Sequence, residues 1–357
     1  MPFGREFLDT AQKPVIVKSV KSDFEAAEKL LREALVICFR ENPNINPDNI
    51  DIYIQGSYAL GTNIYFPSNL EIIVELKKTL KYDPDEFPHA RYKLYGDYFV
   101  ETSFDFNPSD FARELYTVLQ ELTQDKCKQT DKFIEIPMIM GLKHIVEVTP
   151  CFTFNYIEQG AQVLTDLFTK VNDEGGPRGE AKGYDDVNLG QFMEQHGMIA
   201  EPKIFRGVLL YDRAVGAHLV SFPKLHARNG RAKNMATNGN FLRVVRLFKT
   251  LAMVGFRESD FDKVRGYFIQ CLLFNVPNLL YQGSVKEGED MADIGPIFLK
   301  VLNYLLNCDL GDFACQNLVW RLFGSAAEFW DVAAAKKFIR DVRFLYETFP
   351  QARTELV

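Results

Sequence analysis

The sequence predicts an α+β fold in two lobes, a sheet-containing core followed by a helical lobe. Two patterns carry this reading. Apolar and polar residues alternate with period two between Ile50 and Leu76, and from Phe241 onward the apolar residues fall at helical spacing. The length of 357 residues also suits two lobes better than one core. The expected division places residues 1–222 in the core, N-terminal helix included, and residues 223–357 in the helical lobe, with a substrate cleft between them.

The elements follow from local chemistry. Ser22-Asp23-Phe24-Glu25 has the form of a capping box, and Phe24, Ala27, Leu31, Ala34, Leu35 and Cys38 follow at helical spacing, which predicts a helix over 23–40. Ile50, Ile52 and Ile54 alternate with Asp51 and Tyr53 as in a half-buried strand, which a turn at Gly56-Ser57 ends. Leu70 to Leu76 (LEIIVEL) reads as a second strand, with Glu71 on one face and Ile72 and Val74 on the other; Glu75 shares the Glu71 face and reads as a strand-end charge. Asn107-Pro108 opens a helix to about Leu122, with Asn as N-cap and Pro in the first turn.

Strands are expected at Phe133 to Met138, His144 to Phe154, Ile204 to Leu210 and His218 to Phe222. The Gly-rich, charged stretch 172–190 reads as a loop, and Arg231 and Lys233 fall in another. Phe241, Val244, Val245, Phe248 and Leu251 make the first apolar stripe of the helical lobe, which Trp320 and Trp330 are expected to help pack.

Composition bounds the function. With 47% hydrophobic and 25% charged residues the chain is ordinary for a globular protein. It lacks an 18-residue apolar run and a signal-peptide core, so a cytoplasmic protein without membrane contact is expected. Six cysteines without CxxC spacing read as core thiols. A net charge of −7 argues against a general nucleic-acid binder, yet residues 213–257 hold nine Lys or Arg and no Asp or Glu, a stripe that attracts anions.

The chemistry concentrates at Gln55-Gly56-Ser57 and, twelve residues after the serine, at Asn69-Leu70-Glu71. Side chains two apart on a strand point the same way. Glu147 lies in another strongly apolar strand, HIVEVTPCF, where a carboxylate needs a partner or an ion. Oxygen ligands of this kind suit magnesium, and backbone N–H groups at Gly56 and Ser57 with the Ser57 hydroxyl suit a triphosphate. Together they describe metal-assisted nucleotidyl transfer.

The chain resembles the cGAS/DncV-like nucleotidyltransferases, bacterial anti-phage signalling enzymes of the polymerase β superfamily. QGSYALGTNIYFPSNLEIIVEL is similar to the family's Gly-Ser motif and acidic pair, and VEVTPCF to the strand of its third acid. SFPKLHARNGRAKNMATNGNFLRVVRLFK, GYFIQCLLFNVP and LFGSAAEFWDVAAAKKFI are similar to its later segments, in the same order. The resemblance implies a polymerase β-like nucleotidyltransferase core, nucleoside triphosphate substrates with ATP or dATP favoured, and an oligonucleotide product read by a downstream effector protein. It implies Mg2+ or Mn2+ held by Asn69, Glu71 and Glu147, and nucleotide binding by Gln55, Gly56, Ser57, Lys249 and Lys233. His226 reads as a structural histidine.

Departures limit what carries over. Position 69, usually Asp in the family, is Asn, which brings no charge; Glu replaces Asp at 71 and 147, and Gly266 and Gln270 stand where relatives often carry Ser and Glu. The expected product is a cyclic or linear oligonucleotide; the alternative is a catalytically weakened nucleotide-binding regulator. Some relatives, of the Hailong type, extend DNA from their own C-terminal tyrosine, and Tyr346 is the corresponding candidate primer, set against a tyrosine that simply packs its helix.

Overall fold

The alternation read at Ile50–Ile54 and Leu70–Leu76 becomes a pair of antiparallel strands in a seven-stranded mixed sheet. The computed structural model describes residues 10–13, 19–64, 69–77, 106–158, 203–214, 216–255, 266–283, 292–324 and 330–348; the expected loop at 172–190 lies outside them. Strands β1 (Ile50–Ile54), β2 (Leu70–Leu76) and β5 (Val146–Glu158) lie side by side, β2 and β5 running parallel. Short β4 (Ile134–Ile136) and long β6 (Lys203–Asp212) share the far edge of β5, β3 (Lys128–Gln129) pairs with β4, and β7 (Ala217–Ser221) closes the β6 side.

Parity divides the sheet. Leu70, Ile72, Val74 and Leu76 point to one face and join a core with α1 (Ser19–Glu41) and α3 (Pro108–Leu122). Each such fully buried side chain contributes roughly 1.5–3 kcal/mol. The opposite face carries Glu71, Ile73 and Glu75 and faces the cleft. The N-terminus of α3 is capped as expected, the Asn107 side chain accepting from Ser109 and Asp110 while Asp110 accepts from Asn107. By contrast, α1 begins at Ser19, so the expected box at 22–25 lies within the helix and Ser22 is no cap: its hydroxyl donates to the Ser19 carbonyl at 2.8 Å. Asp23 makes distant contacts. It is buried inside the helix, where it accepts from the Lys143 N–H at 3.0 Å and lies 2.5 Å from His144 Nδ1. Those partners are 120 and 121 residues away in the chain, beyond the reach of a local motif.

The segment after β1 is not a simple turn but a one-turn helix, α2 (Gly56–Leu60), ended by Gly61 in the left-handed conformation at φ 68°. After β7 the chain enters α4 (Pro223–Ala236), α5 (Asn240–Gly255), α6 (Gly266–Phe274), α7 (Ile294–Asn307) and α8 (Val332–Thr348). The last four make a second core, with Trp330 packed against it; Trp320 touches both cores and meets Phe222 edge-on at 5.4 Å. Ala11 belongs to this helical core, not to that of the sheet.

Two expected site residues are placed elsewhere. Arg231 and Lys233 lie on α4, not in a loop. Lys233 is buried away from the cleft: its ammonium donates to the Val276 carbonyl at 2.7 Å and to Asn278 Oδ1 at 2.9 Å, beside the rings of Phe241, Phe274 and Tyr281. A cation so enclosed ties α4 to the segment after α6 and is not a phosphate ligand. Tyr346 is 3% exposed on α8, with its ring 4.7 Å from that of Phe298. It is a packing tyrosine, so its hydroxyl is not delivered to the cleft as a primer. All six cysteines are free thiols, five of them buried.

Candidate active site

Two carboxylates meet because β2 and β5 are parallel and in register: Glu71 is paired with Glu147. Both project from the cleft face between apolar neighbours. Burial first, then the nearby charge of Glu147, pushes the Glu71 carboxyl up to about 7, against the pull of Lys249. Glu147 is raised by burial and, less, by Glu135, while a hydrogen bond from Asn69 opposes the rise. That bond runs from Asn69 Nδ2 to Glu147 Oε1 at 2.5 Å. Glu135, opposite Glu147 on β4, went unnoticed in the sequence, although the alternation in FIEIP marks it.

These residues fit a hard divalent cation. Two half-desolvated carboxylates side by side are a strained arrangement that a cation relieves, and magnesium typically takes one or two carboxylates and completes its shell with water and phosphate oxygens. Among the described residues no cluster of three His, Cys, Asp or Glu side chains is positioned to hold an ion. The third protein ligand would therefore be the uncharged amide oxygen of Asn69, with the amide turned over from the orientation that donates to Glu147.

Ser57 and Lys249, 192 positions apart in the chain, are brought together: Lys249 Nζ donates to Ser57 Oγ at 2.9 Å and to the Thr62 carbonyl at 2.8 Å. Lys249 lies on α5 and is only 7% exposed. Burial lowers its pKa to about 8, with Glu71 opposing and Arg246 assisting, so it remains mainly protonated at neutral pH. Gly266 makes room for it, since a Cβ there would lie 3.2 Å from Lys249 Cε. Gly56 is required twice over. Its φ is +70°, and a Cβ would run into the Glu71 carboxylate. The Gln55 N–H donates to the Glu71 carbonyl at 2.9 Å, locking the turn to β2.

A cleft of about 870 Å³ opens over these groups, lined by Gln55, Gly56, Ser57, Glu71 and Lys249 at one end and by Asp51, Tyr53 and Lys224 along β1. His226, Tyr267 and Gln270 line its helical wall. His226 stacks on Tyr267 at 4.8 Å and shares a 3.1 Å contact with Gln270 Oε1; burial lowers its pKa to about 4 despite that contact, so it is neutral and no ready proton donor.

The basic stripe is divided. Lys224, Arg231 and Lys249 line the cleft. Arg243 and Arg246 are buried, donating to Gln12, the Ala292 carbonyl and the Gly61 carbonyl. Their charge holds lobes and loops together and is not presented to a ligand. Glu75, read as a strand-end charge, is 1% exposed and accepts from Tyr53, Thr153 and Lys224. Neither assignment could be made locally, because the deciding partners come from distant elements.

Residues 228–347 match the family described as cGAS/DncV-like nucleotidyltransferase C-terminal helical domain. A cyclic UMP-AMP synthase of Rhodothermus marinus is 26% identical over 292 residues, covering 81% of this chain and 82% of that protein. The cyclic nucleotide synthase CdnE01 of Staphylococcus haemolyticus is 27% identical over 323 residues, covering 88% and 92%. The structure of the Rhodothermus marinus CdnE c-UMP-AMP synthase with Apcpp and Upnpp superposes with a TM-score of 0.67 at 21% identity, over 99% of this chain and 100% of that one, and shows the shared fold. With the helical lobe matched directly to the cGAS/DncV-like nucleotidyltransferase C-terminal domain, and with curated cyclic nucleotide synthases aligned along most of its length, the chain is similar to these nucleotidyltransferases throughout and is a nucleotidyltransferase enzyme.

Proposed function

We propose that this enzyme joins nucleoside triphosphates, without a template, into a cyclic oligonucleotide that serves as a signal to an effector protein in bacterial anti-phage defence. The observation that carries this reading is the in-register pairing of Glu71 with Glu147, together with the contact of Ser57 and Lys249 in the cleft that Glu71 also lines. The names of the relatives support the cyclic product. Self-priming from Tyr346 is not part of the reading, because that residue is buried.

In this scheme Ser57 and Lys249 hold the triphosphate, with the Gly56 and Ser57 N–H groups directed at its oxygens. A hydroxyl of a second nucleotide attacks the α-phosphorus; the new O–P bond replaces the bond to the β-phosphate oxygen, pyrophosphate leaves, and the hydroxyl proton passes to solvent. Magnesium held by Glu71, Glu147 and Asn69 would neutralise the phosphate charge. Gly56 keeps Glu71 close to the phosphate turn.

Incubating the protein with labelled nucleoside triphosphates and magnesium and resolving the products tests the reading; absence of any nucleotide product would count against it. Lys249→Ala is expected to raise KM for the triphosphate roughly ten- to a hundredfold while leaving kcat within a few-fold, because a charge on the phosphates acts in ground and transition states alike. An unchanged KM would remove Lys249 from the phosphate site.

The rival reading, a weakened nucleotide-binding regulator, rests on Asn69 donating to Glu147 where a third acid would ligate. Asn69→Asp adds a charge where the cation would sit. The magnesium concentration giving half-maximal activity is then expected to fall about tenfold, or more if the acid forms a direct bond. No product from wild type, but product from the variant, would favour the regulator.

A further inference from the structure

Resting on the nucleotide-joining reading, we infer that Asp23 and His144 are positioning residues for the reaction, a buried pair through which α1 sets the start of β5, and with it Glu147, against the phosphate turn at Ser57. Both act through other residues.

Asp23 lies within α1 and is 1% exposed, and the side chain of His144, between β4 and β5, is 10% exposed. One carboxylate oxygen, Oδ2, accepts from the Lys143 N–H at 3.0 Å and from His144 Nδ1 at 2.5 Å. A carboxylate only accepts, so Nδ1 carries the proton. The two bonds hold the backbone and the ring of one dipeptide to a helix, not to the sheet.

Directly after that dipeptide the Ile145 carbonyl accepts from the Leu70 N–H at 2.8 Å, where the parallel pairing of β2 with β5 begins. Asn69 and Glu71 flank Leu70, and Glu147 is two residues beyond Ile145. The three residues assigned to the metal therefore hang on a backbone junction that Asp23 anchors from α1. The His144 ring also meets the ring of Tyr58 edge-on, with centres 5.7 Å apart. Tyr58 follows Ser57 on α2. The pair thus reaches the carboxylate strand through the backbone and the phosphate turn through the ring.

Adhesion alone does not call for such a pair. The apolar side chains of α1 from Ala27 to Cys38 already pack on Leu70, Ile72 and Val74 in one core, and that attraction has no direction. A buried carboxylate with a charged or polar partner is often no more stabilising than apolar residues of the same volume. What its hydrogen bonds add is a fixed distance and angle. A displacement of about 1 Å at a reacting centre costs about a hundredfold in rate, so that added precision bears on turnover.

The test compares wild type, Asp23→Asn, His144→Leu and His144→Asn by thermal melt, by Mn2+ titration read from the electron paramagnetic resonance of the free ion, and by steady-state kinetics. Asp23→Asn and His144→Leu should each weaken Mn2+ binding about three- to tenfold and lower kcat about ten- to a hundredfold. KM for the triphosphate should move less than about threefold, because Ser57 and Lys249 keep their contact. His144→Asn retains a donor near the place of Nδ1 and should bind Mn2+ within about twofold of wild type. A purely structural pair would lower the melting temperature without changing the Mn2+ affinity of the folded protein. If Asp23→Asn does not fold, the two His144 variants decide. Wild-type Mn2+ affinity and kcat in folded Asp23→Asn or His144→Leu would overturn the inference, as would His144→Asn binding Mn2+ no better than His144→Leu, or loss of folding in all three variants. If wild type binds Mn2+ and forms product while the folded variants match it, only this inference falls. If wild type neither binds Mn2+ nor forms product, the nucleotide-joining reading falls with it.

Discussion

Replacing Glu147 with Ala is expected to reduce turnover by about a thousandfold or more with little change in thermal stability. The activity loss follows from removing one of the two carboxylates available to the divalent ion, whose charge neutralisation is worth several kcal/mol in the transition state. The stability should hold because Glu147 is raised by burial and by Glu135, so in the folded state its charge is unfavourable. Asn69, which donates to it, is only partly buried and can turn to water. Steady-state product formation and a thermal melt on the same sample check both halves. Turnover within tenfold of wild type would remove Glu147 from the metal site, and a collapsed melt would make it a structural residue.

Gly56→Ala should damage the site and the fold together. An alanine at φ +70° costs roughly 1–2 kcal/mol in backbone strain. Its Cβ would also overlap the Glu71 carboxylate, so either β2 shifts or Glu71 leaves its place opposite Glu147. A displacement of about 1 Å at a reacting centre can cost a hundredfold in rate, so a fall in kcat of that order or greater is expected, with a melting temperature lowered by several degrees. Gly61→Ala is the control. It has a similar φ, +68°, but open space around the added Cβ, and so isolates backbone strain from the clash. If both variants lose activity equally, contact with Glu71 is not what requires glycine at 56.

Much of the site could be read along the chain because its parts are local patterns. Period two in LEIIVEL places Glu71 on the face opposite Ile72 and Val74, and hydrophobic flanks around Glu147 identify a carboxylate that needs a partner. The Gly-Ser segment was recognisable as a turn after a strand, though not as the one-turn helix that it forms. The Asn107 cap was legible for the same reason: all its bonds lie within three residues.

What depended on tertiary contacts was the fate of individual charges. Lys233, Lys249 and Arg246 sit within one basic stretch and look alike by composition, yet one is enclosed by aromatic rings, one reaches Ser57 and one clasps the Gly61 carbonyl. A lysine stem spans several ångströms, and its partner is chosen by which element packs opposite. Tyr346 shows the same limit, since resemblance offered it as a primer, whereas packing of α8 on α7 buries its ring against Phe298. Alternation and capping follow from the geometry of neighbouring residues, so sequence alone determined the strands, the presence of a carboxylate on each of two of them, and the family resemblance. Pairing between β2 and β5, and the docking of the helices, join residues tens to hundreds of positions apart. Only the folded chain could therefore decide that Glu71 meets Glu147, that Ser57 meets Lys249, and that Glu75 lies buried beneath Lys224.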